Sequence, residues 1–409
     1  MSTMASGEEV HGSYDGIICF GAEDWWYHNR GHNDIRFMRE LAKEMPVLFI
    51  NSLGLRIPTL KSDTNTLGRI KRKLKSIARG RVHVENDFHV MSPTLIPGKL
   101  GRWLTGFLLV YQVKRAAKKV GIKHPLLWVV TLPGVNFIDH IRHVGLVFQR
   151  SDRLELYRGA DESVLTQYVQ RLLSRADLVV YCNRQLMDAE RDMTRCSVFV
   201  DHGVNFEEFA KKGRQRQGPT REHYPTEPDD LKAIPSPRIG FIGGLEPYTF
   251  DPALFESVAR GLRDMQFVLV GRNGLSNDWT QLDNVHMLGM KPLDQVADYM
   301  AACDVLIMPW NDSPWIRACN PIKLKEYLAI GRPIVSTGFS ELDHYVGLVA
   351  VANTNDEFIE EIRSALSDDG DEEFRRNSVK DETWSKKAWS VVAHLREQGI
   401  ECLTHKLTG

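Results

Sequence analysis

No two of the six cysteines (Cys19, Cys182, Cys196, Cys303, Cys319, Cys402) stand in a C-x-x-C pair. That scatter argues against a structural zinc site and against a disulfide framework, and it suits a reducing compartment. No run of 18 apolar residues occurs, so no spanning helix is expected. The first residues lack the charged-then-apolar pattern of a secretory signal. Net charge is nearly absent, −1 at pH 7, so composition alone names no polyanionic partner. No recognised nucleic-acid module is present, and nucleic acid is not an expected partner. No D-x-D cluster stands at an expected strand end, so no metal site and no cofactor are expected. What is there is 409 residues, 43% hydrophobic and 26% charged, the composition of a globular chain long enough for two domains.

The first half opens with DGIICFG at 15–21, a buried strand running into a glycine turn. A helix pattern follows over 34–44 and a second strand over 47–50, which makes a β-α-β unit. The loop between, EDWWYHNRGH at 23–32, is unusually aromatic and polar for a connection. In open α/β sheets the carboxyl end of a strand faces the ligand crevice, which makes Asp24, His28, Arg30 and His32 candidates. The alternative is a packed loop whose tryptophans cap the core. Further strands are expected at 126–131, 145–148, 177–181 and 198–200, with a helix over 161–173. After the strand at 145–148 comes QRSDRLE, which holds Arg150, Asp152 and Arg153.

Residues 52–120 hold 15 Lys and Arg against 3 acidic residues, in a chain that is otherwise acidic. Leu67, Ile70, Leu74 and Ile77 form a helical stripe with Arg69, Lys71, Arg72, Lys73 and Lys75 packed around it. A second helix, 100–113, carries Trp103, Phe107, Leu108 and Tyr111 between basic ends. Basic amphipathic helices of this kind suit an anionic membrane surface. The alternative is that both pack on the sheet and present a solvated basic face. The expected location is cytoplasmic, peripheral at the inner face of the cell membrane.

Residues 211–237 are charged and proline-containing, without apolar periodicity, and read as a linker. Beyond it, strands at 238–242, 267–270, 285–288 and 304–308 alternate with helices at Rossmann spacing. Gly243-Gly244 and Gly271-Arg272 both fall at strand exits. The stretch NPIKLKEYLAIGRPIVS, 320–336, then reads as a helix start, a helix ended by Gly331, and a buried strand. Asn320 suits the N-cap and Pro321 the first helical position. Lys323 in the first turn is disfavoured unless an anion is near, because the helix N-terminus is already positive. Glu326, one turn on, can accept from hydroxyls. The alternative is an ordinary surface pair of Lys323 with Glu326.

The stretch at 320–336 resembles the nucleotide-sugar signature of GT-B glycosyltransferases of family 4, in particular the branch of teichuronic-acid and exopolysaccharide biosynthesis, where it reads Pro-x-Lys-x-x-Glu-Tyr-Leu-Ala. Ala318 replaces the first glutamate of the usual Glu-x7-Glu pair. Asp201-His202-Gly203-Val204-Asn205 resembles the motif at which such chains leave their first domain. Phe250-Asp251 resembles the branch's aromatic-Asp pair, and Asp152 matches an aspartate of its Tyr-Asp-x-x-Asp pattern, with Gln149 where the first aspartate would stand.

The resemblance implies an α/β chain of two Rossmann-like doubly wound domains facing a cleft. Residues 1–210 would bind the acceptor, 211–237 would link, 238–383 would bind the nucleotide sugar, and 384–409 would form a helix crossing back to the first domain. It implies a hexosyltransferase that uses a UDP- or GDP-sugar and a lipid-linked or polysaccharide acceptor. Gly243, Gly244, Arg272, Asn320, Lys323 and Glu326 would hold the donor. Arg30, His32, Arg150 and Arg153 would hold phosphate or acceptor. Asp152, His28 or Asp24 would serve as base. Inversion or retention stays open. A nucleotide-sugar 2-epimerase and a non-catalytic partner of the same fold are the alternatives, the latter suggested by Ala318.

Overall fold

The computed structural model describes residues 12–26, 32–53, 75–77, 79–94, 99–156, 161–216, 226–276, 278–317, 319–368 and 370–403, the side chains of 99–105 excepted. The chain divides into two compact units, 1–201 with 384–409, and 202–383.

Besides the short strand β1 (Gly12–Tyr14), the first unit is built on eight strands: β2 (Gly16–Phe20), β3 (Val47–Ile50), β4 (Arg81–Glu85), β5 (Phe88–Met91), β6 (Pro125–Val129), β7 (Gly145–Arg150), β8 (Leu178–Tyr181) and β9 (Ser197–Phe199). Their order is β4-β5-β3-β2-β6-β7-β8-β9, all parallel except β4 against β5. The central strands are buried along their whole length, as Gly-Ile-Ile-Cys-Phe and Pro-Leu-Leu-Trp-Val require of a sheet covered on both faces. From β2 the order runs outward in both directions, so the strand order reverses between β2 and β6.

Helix α1 (Asn33–Leu41) turns Ile35, Phe37, Met38 and Leu41 inward. Against it lies a helix at 384–397, whose Trp384 meets Phe37 edge-on at 6.0 Å. The tail then adds Ile400–Cys402 in parallel to Gly12–Tyr14, a strand pair the sequence pattern did not announce. The β4–β5 hairpin is likewise unannounced. It turns at Asn86, which takes φ 43°, a value that asparagine tolerates.

The second unit holds β10 (Arg238–Ile242), β11 (Gln266–Val270), β12 (Val285–Gly289), β13 (Val305–Met308), β14 (Ile334–Thr337) and β15 (Ala350–Ala352). All six are parallel, in the order β12-β11-β10-β13-β14-β15. This is the doubly wound dinucleotide-fold order, and its reversal falls between β10 and β13. The break between the units falls at 201/202, earlier than the 210/211 expected from sequence. The reason is the helix Phe206–Arg214: it buries Phe206, Phe209 and Ala210, and its Gly213 abuts the Ile330 carbonyl of the second unit. The described part of 211–237 also belongs to this unit; Leu231 and Ile234 are buried in its core.

Candidate functional site

In the second unit the switch point between β10 and β13 is where side-chain chemistry collects. The signature helix spans Ile322–Ile330, with Pro321 at the N-cap, so Asn320 stands one residue outside the expected cap position. Gly331 ends it at φ 88°, in the left-handed region. Leu324, Tyr327, Leu328, Ala329 and Ile330 are buried, and each large apolar side chain stabilises the docking by roughly 1.5–3 kcal/mol. The Tyr327 hydroxyl accepts from the Ile242 backbone N–H at 2.9 Å, which ties the helix to the end of β10. Lys325 points the other way. It is buried and donates to the His202 carbonyl and to Glu382, each at 2.7 Å, so this lysine is structural.

Lys323 has a different setting. Its Nζ lies 4.7 Å from the Phe241 ring centroid and 4.6 Å from that of Trp310. Phe241 is on β10 and Trp310 just beyond β13, so the ammonium sits at the reversal of strand order. Among the described residues no carboxylate forms an ion pair with it. Desolvation pushes its pKa down to about 8, while Glu326 and Cys319 pull it upward. Cation–π contact offsets part of the desolvation but satisfies none of the three N–H donors. The half-buried Glu326 shares the helix one turn on.

Two glycine turns frame this lysine. A Cβ on Gly243 would fall 2.0 Å from Lys323 Nζ. Gly271 takes φ 149°, and a Cβ there would fall 1.9 Å from the Gly243 carbonyl oxygen. The Gly271 N–H donates to Gly289 and the Gly243 N–H to Val270, so the exits of β10, β11 and β12 are laced together. Gly244 lies against the Glu246 side chain. Arg272 is largely exposed and forked onto Glu246, its Nε at 3.1 Å from Oε1. The sequence pattern gave no sign of this carboxylate partner, nor of the Phe241–Trp310 box around Lys323.

In the first unit the candidate residues separate into those that build the scaffold and those that face outward. Asp24 accepts from the Trp26 N–H at 3.0 Å and from Ser76 at 3.2 Å, within a network that includes Asn51 and Ser92. These bonds tie it into the scaffold of the loop. Trp25 is buried against Phe88 and caps the core, whereas Trp26 is half-buried under the Arg79 guanidinium. Arg150, expected to hold phosphate or acceptor, is instead structural. Its guanidinium is buried and bound to Glu155 at 2.7 and 2.8 Å, to Glu190 at 2.9 and 3.2 Å, and to the Asp152 carbonyl at 2.6 Å. No donor is left for an acceptor molecule, and the pairing raises its pKa further.

Asp152 and Arg153 reach solvent at the exit of β7. The protein mass around Asp152 raises its carboxyl pKa above the usual range, and Arg150 and His32 act in the opposite sense. His32 is exposed, with Nε2 at 3.5 Å from Glu23. Beside it, Asp34 is buried, accepts the Ala22 N–H at 2.8 Å, and has its pKa raised by desolvation. His28, Arg30, Arg69, Lys71, Arg72 and Lys73 lie outside the described residues, as do Ala318 and the side chain of Trp103. Lys75 is exposed. Among the described residues no group of three His, Cys, Asp or Glu side chains is arranged to hold a metal ion.

Two doubly wound sheets, parallel throughout but for the edge strand β4 and each reversing strand order once, place the chain in the GT-B class of α/β folds. Residues 236–368, within the second unit, match the family described as glycosyl transferases group 1.

A relative in Bacillus subtilis strain 168, provisionally named teichuronic acid biosynthesis glycosyltransferase TuaH, is 29% identical over 253 residues. The match covers 58% of this chain and 60% of that protein, so the chain spans less than two thirds of this relative. Among solved structures, sucrose-phosphate synthase from Thermosynechococcus elongatus shares the fold at TM-score 0.62 and 15% identity, over 94% of this chain and 98% of that one. Anabaena HepE, solved in complex with UDP and glucose, does so at TM-score 0.56 and 15% identity, with the same coverage.

Proposed function

We propose that this chain transfers a sugar from a nucleotide sugar, a UDP-sugar foremost, to a lipid-linked or polysaccharide acceptor in bacterial cell-surface glycan biosynthesis. The observation that carries the reading is Lys323: an ammonium at the switch point of a doubly wound sheet, between two aromatic faces, with no carboxylate ion pair among the described residues. A diphosphate supplies the acceptors such a lysine needs, and the side-chain-free turns at Gly243 and Gly271 leave room for it beside the ammonium. The UDP complex of HepE supports that class of donor, and the name of the Bacillus relative supports glycosyl transfer in cell-surface glycan biosynthesis.

In the transfer, an acceptor hydroxyl attacks the anomeric carbon, the bond from that carbon to the phosphate oxygen breaks, and the nucleoside diphosphate leaves with the electron pair. Lys323 stabilises the growing negative charge on the leaving oxygens. Glu326 accepts from the ribose hydroxyls. Arg272 joins the phosphates on exchanging its Glu246 partner for them. Asp152 and His32 of the first unit are the residues proposed for the acceptor, and Asp152 is the proposed base.

We further propose a peripheral membrane location. The helix Lys99–Lys119 exposes Phe107 and Tyr111 one turn apart, followed on the same face by Lys114, Arg115 and Lys118. Aromatic rings beside basic heads fit an anionic interface. Among the described residues no helix is long and apolar enough to cross a membrane.

The test is thermal shift against UDP, GDP and their sugars, with Glu326→Ala as the control variant. Stabilisation of the wild type that is lost in Glu326→Ala supports the reading. Absence of any nucleotide effect on the wild type overturns it. Epimerised sugar released without an acceptor would mark an epimerase.

A further inference from the structure

The second unit buries most of its aromatic side chains, Trp310 and Phe250 among them, yet leaves Tyr248 and Trp315 at 54% and 40% exposure. The two rings meet edge to face, with centroids 6.0 Å apart at 77°. They stand on the loops that leave β10 and β13, the strands flanking the switch point. Those loops are sewn together: Ser313 Oγ donates to the Tyr248 carbonyl at 2.8 Å, and the Asn311 N–H to the Thr249 carbonyl at 2.8 Å. Asn311 Nδ2 adds a bond to the Pro247 carbonyl at 3.2 Å. Ile316, next to Trp315, is buried and anchors the short turn. The corner is therefore held in place rather than left to loop motion. Asp312 and Arg317 bracket Trp315 with an exposed two-bond fork, at 2.6 and 2.5 Å.

We propose that the Tyr248–Trp315 corner is a pyranose-binding subsite, and that it sets which sugar ring the enzyme accepts. The inference rests on the glycosyltransferase reading of the same switch point. A pyranose has an apolar face of C–H bonds and an equatorial rim of hydroxyls. The first packs on an aromatic face. The second needs planar groups carrying several donors or acceptors, which Asp312 and Arg317 supply. A simple hydrophobic contact would not need that charged fork beside the rings, and a phosphate would not need the rings.

The ring belongs either to the donor sugar or to the acceptor glycan, and calorimetric titration separates them. The probes are UDP, UDP-glucose, GDP, GDP-mannose and maltopentaose, against wild type, Trp315→Ala, Tyr248→Ala and Trp315→Phe. The expected result is that both alanine variants keep the wild-type affinity for the nucleotide alone. They weaken roughly tenfold for the nucleotide sugar if the donor ring sits there, or for maltopentaose if the acceptor does. Trp315→Phe should recover most of the loss, because it keeps a ring face. The proposal is overturned if every probe binds the alanine variants as it binds wild type. It is also overturned if the free nucleotide weakens as much as its sugar, which would give the corner to the nucleobase. A wild type that binds neither UDP nor GDP would instead sink the donor reading, and maltopentaose alone would then decide the corner.

Discussion

Gly243 and Lys323 exclude a methyl group between them: a Cβ on the glycine would fall 2.0 Å from the lysine Nζ. The ammonium is thereby pressed against the end of β10, where desolvation lowers its pKa to about 8. Lys323→Met should weaken UDP binding by about 10- to 100-fold, the loss of one charge-assisted contact of about 1.5–3 kcal/mol. The pH dependence has a definite sign. Below about 8 the free side chain is charged and binds the diphosphate; as pH rises through about 8 it loses its proton and affinity falls. Titrations from acid to alkaline pH should show that decline in the wild type and not in Lys323→Met.

Gly271 is the second fixed point. At φ 149°, with the Gly243 carbonyl where a Cβ would go, it admits no side chain without moving the turn. Gly271→Ala should cost about 1–3 kcal/mol of stability, read from denaturant unfolding, and should weaken nucleotide binding more than that loss of folded protein explains.

Asp152 and Arg150 sit two residues apart and should fail differently. Asp152→Asn should lower turnover by at least about 100-fold while sparing donor affinity, the scale of a lost general base. In the wild type, activity should rise with pH through a point above the ordinary aspartate range, because the carboxyl must first lose its proton. Arg150→Gln leaves the buried Glu190 and the half-buried Glu155 without their cation. Its effect should appear in unfolding, at about 3–5 kcal/mol, rather than in acceptor KM.

Membrane contact is tested on the outward face of Lys99–Lys119. Replacing Phe107 and Tyr111 with serine, and Lys114, Arg115 and Lys118 with glutamine, should release the protein from anionic vesicles in flotation. Each basic residue is worth about 1 kcal/mol there. Retention of this variant on vesicles would remove that face from the account.

The parallel strands were legible because a sheet covered on both faces demands unbroken apolar runs, and 239–242 and 305–308 supply them. The signature helix was legible through Gly331 and the lysine in its first turn. The β4–β5 hairpin was not, since its strand Arg81–Glu85 lies at the sheet edge and carries charge rather than an apolar run. The roles of Asp24 and Arg150 were also hidden. Their residue types suit chemistry, and only the partners at Trp26, Ser76, Glu155 and Glu190, distant in sequence or around a turn, show that they are already occupied. The same holds for Arg272 and Glu246.

Two lysines on one short helix have opposite fates. Lys325 is buried and caged by Glu382 and the His202 carbonyl, out of the reach of reagents. Lys323 is half-buried rather than sealed and sheds its proton near pH 8, which makes it an unusually nucleophilic amine at ordinary working pH. A nucleotide analogue bearing a mild acylating group would bond to it covalently, a way to trap the enzyme through its own donor site.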